Sequence, residues 1–453
     1  MTEVNQSSDL KKIRIAIAAI LLVTVLTQTI DNAFNVVAPD LVEIFGISSN
    51  IASWVASIGG IGLAIGFLAF SSLSDFFSEK KMIMTGILVF CLSSITGILF
   101  QDSYFIVVIS RFIQAVGGIS AAALYLVLIA RYLPEKEQFI WMGLSTTSFS
   151  FSTMLGTSLG GYLATNLGWQ YIFYVPFLGL LALPIIHRYL PDNPKDKGQI
   201  DYIGFGLLAI VTILINFLIS NPSFILFILT IISIVVFWKH LNTTNQPFFS
   251  PDYFRNKSYI TTLLATFFFY LAQVGLVVLV PFLMQQAFNA NLDEVSRVFI
   301  IPYLVSGTLA AFSGSIINRI GLKNTLNTGG LLIMIGLIYG AYLGGNGFMQ
   351  LTITLVLITC GYAMTFSPFL TQAISSLPNE EVGTGIGLFN FTVRTSNAIG
   401  ISLVGYLLNS LIVRQNLLAI SNPNMVIYAN ILFVFVITII ISLVLYNIRA
   451  NKG

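Results

Sequence analysis

The sequence predicts an all-α protein that crosses a membrane many times, and three observations carry this. Of its 453 residues, 56% are hydrophobic and 9% charged, whereas soluble proteins carry about 25% charge. The apolar residues gather into successive segments of roughly 20 residues, long enough as helix to span a hydrocarbon core about 30 Å thick. Once those segments are drawn, Lys and Arg fall almost wholly on one side.

Fourteen spans follow in order: 13–37, 51–73, 82–100, 104–130, 139–165, 171–190, 201–220, 223–241, 260–285, 298–317, 325–344, 350–374, 384–412 and 427–447. Each is an apolar run closed by polar or turn residues. The polar N-terminus MTEVNQSSDLKKIR and the length of the run that follows speak against a cleavable signal peptide. Two connections are long and polar, PDNPKDKGQ at 191–199 and NTTNQPFFSPDYFRNKSY at 242–259. They divide the chain into an N-terminal bundle (1–190), a two-helix insert with its flanking loops (191–259) and a C-terminal bundle (260–453). Cys91 and Cys360 fall inside spans, so no structural disulfide is expected.

An even number of spans puts both termini on one side. Seventeen basic residues then lie on that side; Arg297 and Arg414 lie opposite, and Arg111 and Arg394 within spans, which accounts for all 21. The side bearing the termini is therefore the cytoplasm.

The chain also repeats itself. SSLSDFFSEKK (71–81) follows span 2 and GSIINRIGLK (314–323) follows span 10, aligning Asp75 with Asn318 and Lys80 with Lys323. Spans 1–6 and 9–14 thus read as two related halves.

Four segments then resemble motifs of the major facilitator superfamily, specifically its fourteen-helix drug:proton antiporters, and the resemblance covers nearly the whole chain. SSLSDFFSEKK resembles the loop motif GxLaDrxGrkxx, keeping Leu73, Asp75 and Lys80 with Ser71 and Ser78 in place of glycines. SRFIQAVGG resembles the span 4 motif with a buried arginine, here Arg111, with Gln114, Ala115 and Gly117. In span 5, Gly143, Ser152, Gly156, Thr157, Gly160 and Gly161 keep the spacing of the antiporter motif Gx8Gx3GPx2GG, with Thr157 for its proline. GWQYIFYVPF (168–177) resembles the GWRWIF segment that usually follows. TIDNAFNVVAPDL is similar to the span 1 motif of tetracycline and quinolone efflux pumps of Gram-positive bacteria. The resemblance implies a major facilitator fold of two pseudo-symmetric six-helix bundles plus two extra helices. It further implies alternating access, export rather than uptake, and a bacterial cytoplasmic membrane. The partners it implies are small-molecule drugs, protons and lipid, with no nucleic acid and a monomeric chain.

Asp31 is the residue with the clearest chemistry. It is the one acid that must sit inside a span, and a carboxylate at that depth costs at least ~3 kcal/mol. Thr24, Gln28, Asp31, Asn32 and Asn35 share one helical face, a polar stripe expected to face the bundle interior. Asp31 lies nine residues before Asp40, and Arg111 nine after Asp102, so both sit about 13 Å below the outer ends of their helices. The resemblance puts both helices on the central cavity, and so makes Asp31 and Arg111 level neighbours. Burial disfavours the Asp31 charge and a nearby guanidinium favours it, the balance a proton carrier needs.

Substrate contacts are expected from Gln28, Asn32, Asn35 and Gln114 in the first half and from Tyr270, Gln273, Tyr303, Tyr362 and Asn390 in the second, Gln273 foremost. Met364 and Asn397 are further cavity candidates. Such aromatic and amide walls suit flat amphipathic ligands. Arg394 either meets an anionic substrate or pairs near a cytoplasmic gate with the loop carrying Asp75; the second is the preferred expectation. Lys80 belongs to the same gating loop. Gly143, Gly156, Gly160 and Gly161 are expected to let helices approach closely.

No nucleophile–base pair, metal cluster or Walker motif is present in the sequence, which argues against an enzyme or an ATP-driven pump. His187 and His240 read as interfacial residues. No cofactor is expected, the proton gradient being the energy source. Three functions remain: a broad multidrug antiporter, a narrower tetracycline:proton antiporter, and a metabolite uptake symporter.

Overall fold

The computed structural model describes residues 3–74, 77–192, 201–244, 247, 251–377, 382–416, 418, 420 and 422–450. Every regular element among them is helical. The first half comprises α1 (Glu3–Val36), α2 (Ala38–Phe45), α3 (Ser49–Ala52), α4 (Trp54–Leu73), α5 (Glu79–Leu99), α6 (Tyr104–Tyr132) and α7 (Glu135–Asn166). A 3-10 helix, Trp169–Leu181, then runs into α8 (Ala182–Tyr189). The insert is α9 (Tyr202–Ser220) and α10 (Phe224–Thr243). The second half comprises α11 (Lys257–Phe288), α12 (Leu292–Ala311), α13 (Ser313–Ile320), α14 (Leu322–Leu343), α15 (Phe348–Ile374), α16 (Val382–Asn409) and α17 (Val426–Ala450).

All fourteen expected spans are helices. Among the described residues, eleven helices are long and apolar enough to cross a membrane. The other three are the more polar α7, α12 and α16, which carry STTSFSFST, LDEVSR and NFTVRTSN. All three stand at the seams between the halves, α7 against α12 and α16 against α4.

Three spans differ in detail from expectation. Span 1 stops at Val36 and a separate α2 follows, because Pro39 suits the first turn of a new helix and disfavours continuation of the old one. Gly46, at φ +61°, ends α2 in the left-handed region that glycine tolerates. Span 6 begins as a 3-10 helix with Pro176 inside it, a residue that cannot donate to an α-helical ladder. Span 10 breaks at Phe312 into α12 and α13.

In the first half α1 packs on α6 and α7, and α4 and α5 pack on α6. In the second, α11 packs on α16 and α17, and α14 on α15 and α17. The halves meet along two seams, α4 against α16 and α7 against α12. Along the first seam the close approaches Ser53–Gly405, Gly60–Ala398 and Leu68–Gly387 run antiparallel. The insert leans on this same seam: Ser402 of α16 bonds to Asn216 of α9, and Phe217 meets Trp54 of α4 at 5.3 Å. The apolar side chains of α10, including Phe224, Ile225 and Val235, stay exposed, as on a lipid-facing helix.

Candidate functional site

Asp31 of α1 and Arg111 of α6 form an ion pair, with Arg111 Nη2 donating to Asp31 Oδ1 at 2.9 Å. The equal depth read from the sequence is realised as direct contact. Around the pair, Arg111 Nη1 donates to Gln114 Oε1 at 2.6 Å, and Gln114 Nε2 donates to Ser94 Oγ of α5 at 2.7 Å. The guanidinium also stands 4.4 Å from the centre of the Phe34 ring, a favourable cation–π geometry. Arg111 is thereby held by α1 and by its own helix, with Ser94 of α5 fixing Gln114 behind it. Its side chain is 2% exposed and that of Asp31 17%. Asp31 Oδ1 is bound, while Oδ2 makes no hydrogen bond among the described residues. The carboxylate thus has one anchored oxygen and one free to exchange a proton.

Gly59 of α4 makes the pair possible. A Cβ at this position would collide with Arg111 Nη2 and stand 2.9 Å from Asp31 Oδ1. Sequence reasoning passed over it, although the glycine-rich run SIGGIGLAIG (57–66) was a signal of close approach. Phe34 and Ser94 were also missed, since an aromatic and a serine in a membrane helix carry no chemical signature alone.

The remainder of the α1 stripe is packed. Gln28, Asn32 and Asn35 are buried, and Asn32 Nδ2 donates to the Gln28 carbonyl at 2.8 Å. Thr24 bonds back to the Ile20 carbonyl. Asn32 lies against α7, where Gly156 leaves room for its Cβ. Asn35 is buried with neither amide atom bonded.

In the second half the expected residues separate into two groups. Tyr270 and Tyr362 are buried in an aromatic core with Phe269 and Phe369, with ring centres 5.0–6.3 Å apart, and the Tyr362 hydroxyl donates to the Phe269 carbonyl. Met364 is buried on the same helix. Gln273, Tyr303, Asn390 and Asn397 stay partly exposed. Gln273 Oε1 accepts from Asn397 Nδ2 at 3.3 Å, Asn390 Nδ2 donates to the Ile386 carbonyl at 3.0 Å, and Tyr303 stacks on Phe299.

Arg394 lies on α16 one turn from Asn390 and Asn397. Its guanidinium stands 5.5 Å from the Phe67 ring centre of α4, across the seam. Asp31 lies within its electrostatic reach. It has no hydrogen bond or ion pair among the described residues, and its Nε is buried without a partner. The seam contacts put Arg394 level with Leu63, midway along α4. Asp75, the gate partner expected for it, lies outside the described residues. Lys80 is partly exposed in the first turn of α5, beside Glu79, which pairs with Arg131, and Lys81, which meets Asp192 at 3.4 Å.

The α7 glycines stand at helix crossings. A Cβ at Gly160 would lie 2.7 Å from the Ala33 carbonyl oxygen, and one at Gly156 would overlap that of Thr29. Gly161 meets the other half instead: its Cβ would overlap Ser296 Oγ and the Leu292 carbonyl of α12. Ser296 Oγ donates to the Thr157 carbonyl at 2.7 Å. The surroundings of Gly143 lie outside the described residues. A second bond joins the halves nearby, Gln285 Nε2 of α11 donating to Asp40 Oδ1 of α2 at 3.2 Å. Burial, opposed by that bond and helped by Glu43, pushes the Asp40 carboxyl up to about 6. His240 pairs with Asp201 at 2.7 Å, tying the end of α10 to the start of α9.

The family model described as Major Facilitator Superfamily matches residues 20–401 and 262–452. The chain is 24% identical over 391 residues to the multidrug resistance protein Stp of Mycobacterium tuberculosis, covering 83% of this chain and 72% of Stp. It is 25% identical over 406 residues to the multidrug export protein EmrB of Haemophilus influenzae, covering 84% and 78%. It is also 24% identical over 390 residues to the riboflavin transporter RibZ of Clostridioides difficile, covering 84% and 85%. Among solved structures it superposes on a bacterial homolog of the human lysosomal transporter Spinster with a TM-score of 0.68 at 14% identity, covering 97% of each chain.

Proposed function

The chain belongs to the major facilitator superfamily, a multi-pass membrane transporter and not an enzyme, and on that premise we propose that it exports amphipathic drugs in exchange for protons. The observation that carries the reading is the Asp31–Arg111 pair, a carboxylate buried in a membrane helix with one oxygen anchored and one open. Proton coupling by this carboxylate proceeds as follows. Ionised Asp31 holds Arg111; protonation of Oδ2 weakens the pair and alters the charge that the substrate and the opposite half meet. Alternating access then follows from rocking of the two halves about the α4–α16 and α7–α12 seams. Quinolones, lipophilic cations and tetracyclines are the proposed drugs. The names of the relatives Stp, a multidrug resistance protein, and EmrB, a multidrug export protein, support export of more than one drug.

A second reading, transport of a specific metabolite, is favoured by the likeness to RibZ. Everted membrane vesicles carrying a pH gradient separate the two. Export predicts that ethidium, a quinolone or tetracycline dissipates the gradient, and that Asp31→Asn abolishes the response. A normal response from Asp31→Asn would remove Asp31 from coupling. No response to any drug would favour the metabolite reading, and a response to tetracycline alone would favour a narrow tetracycline exporter.

A further inference from the structure

Among the described residues of the membrane spans there is one guanidinium more than the carboxylates pair. Asp31 and Arg111 answer one another at 2.9 Å. Arg394 has no counter-ion among the described residues, yet it lies mid-membrane, where an unpaired charge is expensive. Its one close partner across the seam is the Phe67 ring. That face is complementary to a quadrupole and offers the guanidinium no hydrogen-bond acceptor. Arg394 therefore retains its fork of donors for a planar acceptor.

Its surroundings favour a ligand over a structural partner. Asn390 and Asn397 lie four residues before and three after it, on the same helical face, and both are partly exposed. Asn397 Oδ1 is buried without a hydrogen bond, although its Nδ2 is held by Gln273. The backbone of Arg394 is level with Leu63 and Asp31 is level with Gly59, so the two positions are offset along α4 by about 6 Å at 1.5 Å per residue. Asp31 lies within electrostatic reach of Arg394. One interior thus presents an anion on the first half and a free guanidinium on the second.

We propose that Arg394, with Asn397 and Gln273, is the recognition site for a carboxylate, and that the preferred substrates are zwitterionic aromatic acids whose amine end faces Asp31. This rests on the export reading above and deepens it. Charge bookkeeping ranks the simpler ligands below a zwitterion. A purely anionic ligand at Arg394 repels ionised Asp31. By reciprocity it binds best when Asp31 is protonated, which carries ligand and proton in the same direction. A purely cationic ligand competes with the proton, as exchange requires, but leaves Arg394 uncompensated and repels it. A zwitterion satisfies both charges: its ammonium competes with the proton at Asp31 while its carboxylate answers Arg394. A flat aromatic body between the two ends suits the Phe67 ring beside Arg394.

The test is binding to the full-length protein in lipid nanodiscs by titration calorimetry, which reads recognition apart from proton coupling. The probes are norfloxacin, a zwitterionic aryl carboxylate with a secondary amine, and its methyl ester, a cation of nearly the same shape. The wild type is expected to bind the acid more tightly than the ester. Arg394→Gln is expected to weaken the acid by about tenfold and the ester by less than about twofold, because only the acid loses a charge-assisted bond. Arg394→Lys, which keeps the charge and guards against a folding defect, should fall between them for the acid. Equal weakening of both probes, no weakening of either, or a wild type that does not favour the acid would overturn carboxylate recognition. The export reading is judged separately: gradient dissipation by ethidium or the ester leaves it standing even when the carboxylate site fails.

Discussion

Arg111 anchors a single oxygen of Asp31, at 2.9 Å, and is itself fixed by Gln114 and the Phe34 ring. The arginine is the immobile partner and the carboxylate the responsive one. Arg111→Ala removes the one ion-pair partner that Asp31 has among the described residues, and breaking a buried pair costs about 3–5 kcal/mol. Asp31→Asn combined with Arg111→Gln leaves neutral, hydrogen-bonding groups and should restore much of that loss without restoring transport. Thermal unfolding of the purified variants, set beside vesicle transport, checks both parts. Equal stability of Arg111→Ala and the double variant would argue that the pair contributes no net stability.

Gly59→Ala is the sharpest test of the site's geometry. The added methyl has to displace Arg111 Nη2 or push α4 away from α6, and overpacking of this kind costs about 1–3 kcal/mol. The expected outcome is a folded protein whose drug-dependent proton movement is reduced at least as strongly as its stability. Wild-type coupling in Gly59→Ala would mean that the pair has slack that these contacts do not reveal.

Much of this site was legible in the sequence for a simple reason: depth in a membrane helix is countable. Asp31 and Arg111 each lie nine residues from a polar boundary, and the structure joins them. Direction around the helix is harder to read. The stripe Gln28–Asp31–Asn32–Asn35 spans a wide arc, so Asn32 turns to α7 while Asp31 turns to α4 and α6. Tyr270 and Tyr362 sit in a closed aromatic core because rings of α11 and α15 cover one another, which depends on tertiary packing. Ser296 was illegible as a site residue because its contribution is a bond to another helix, while for Gly59 the glycine-rich run marked close approach but not which side chains it admits.

The α7–α12 seam supplies a test at the outer side. Gly161→Ala places a methyl against Ser296 and Leu292, whereas Ser296→Ala removes only a hydroxyl, shared between the Thr157 carbonyl across the seam and the Leu292 carbonyl of its own helix. The hydroxyl bond is worth about 1 kcal/mol, so Ser296→Ala should transport at close to the wild-type rate. Gly161→Ala should prise the halves apart at this end, measured as faster labelling of a cysteine placed at Leu292 by a membrane-impermeant maleimide. Equal labelling with and without the methyl would show that the seam yields elsewhere.

The contact between Asp40 and Gln285 should respond to outer pH. Asp40 lies beyond the end of α1, and burial raises its carboxyl from the ordinary 3.8 to about 6. A carboxyl whose pKa is raised in the closed arrangement favours that arrangement in its protonated form. Its stabilisation is complete below about 3.8 and is lost as pH climbs through about 6. The joined outer ends should therefore be more populated at pH 5 than at pH 8. Spin labels at Ile44→Cys on α2 and Phe288→Cys on α11 report the separation, with the distance distribution shifting to longer values at the higher pH. Asp40→Asn keeps an acceptor for Gln285 and removes the titration, so its distribution should hold at the acid-like distance at both values. A pH shift of the same size in Asp40→Asn would assign the sensitivity to another group and leave Asp40 a structural contact.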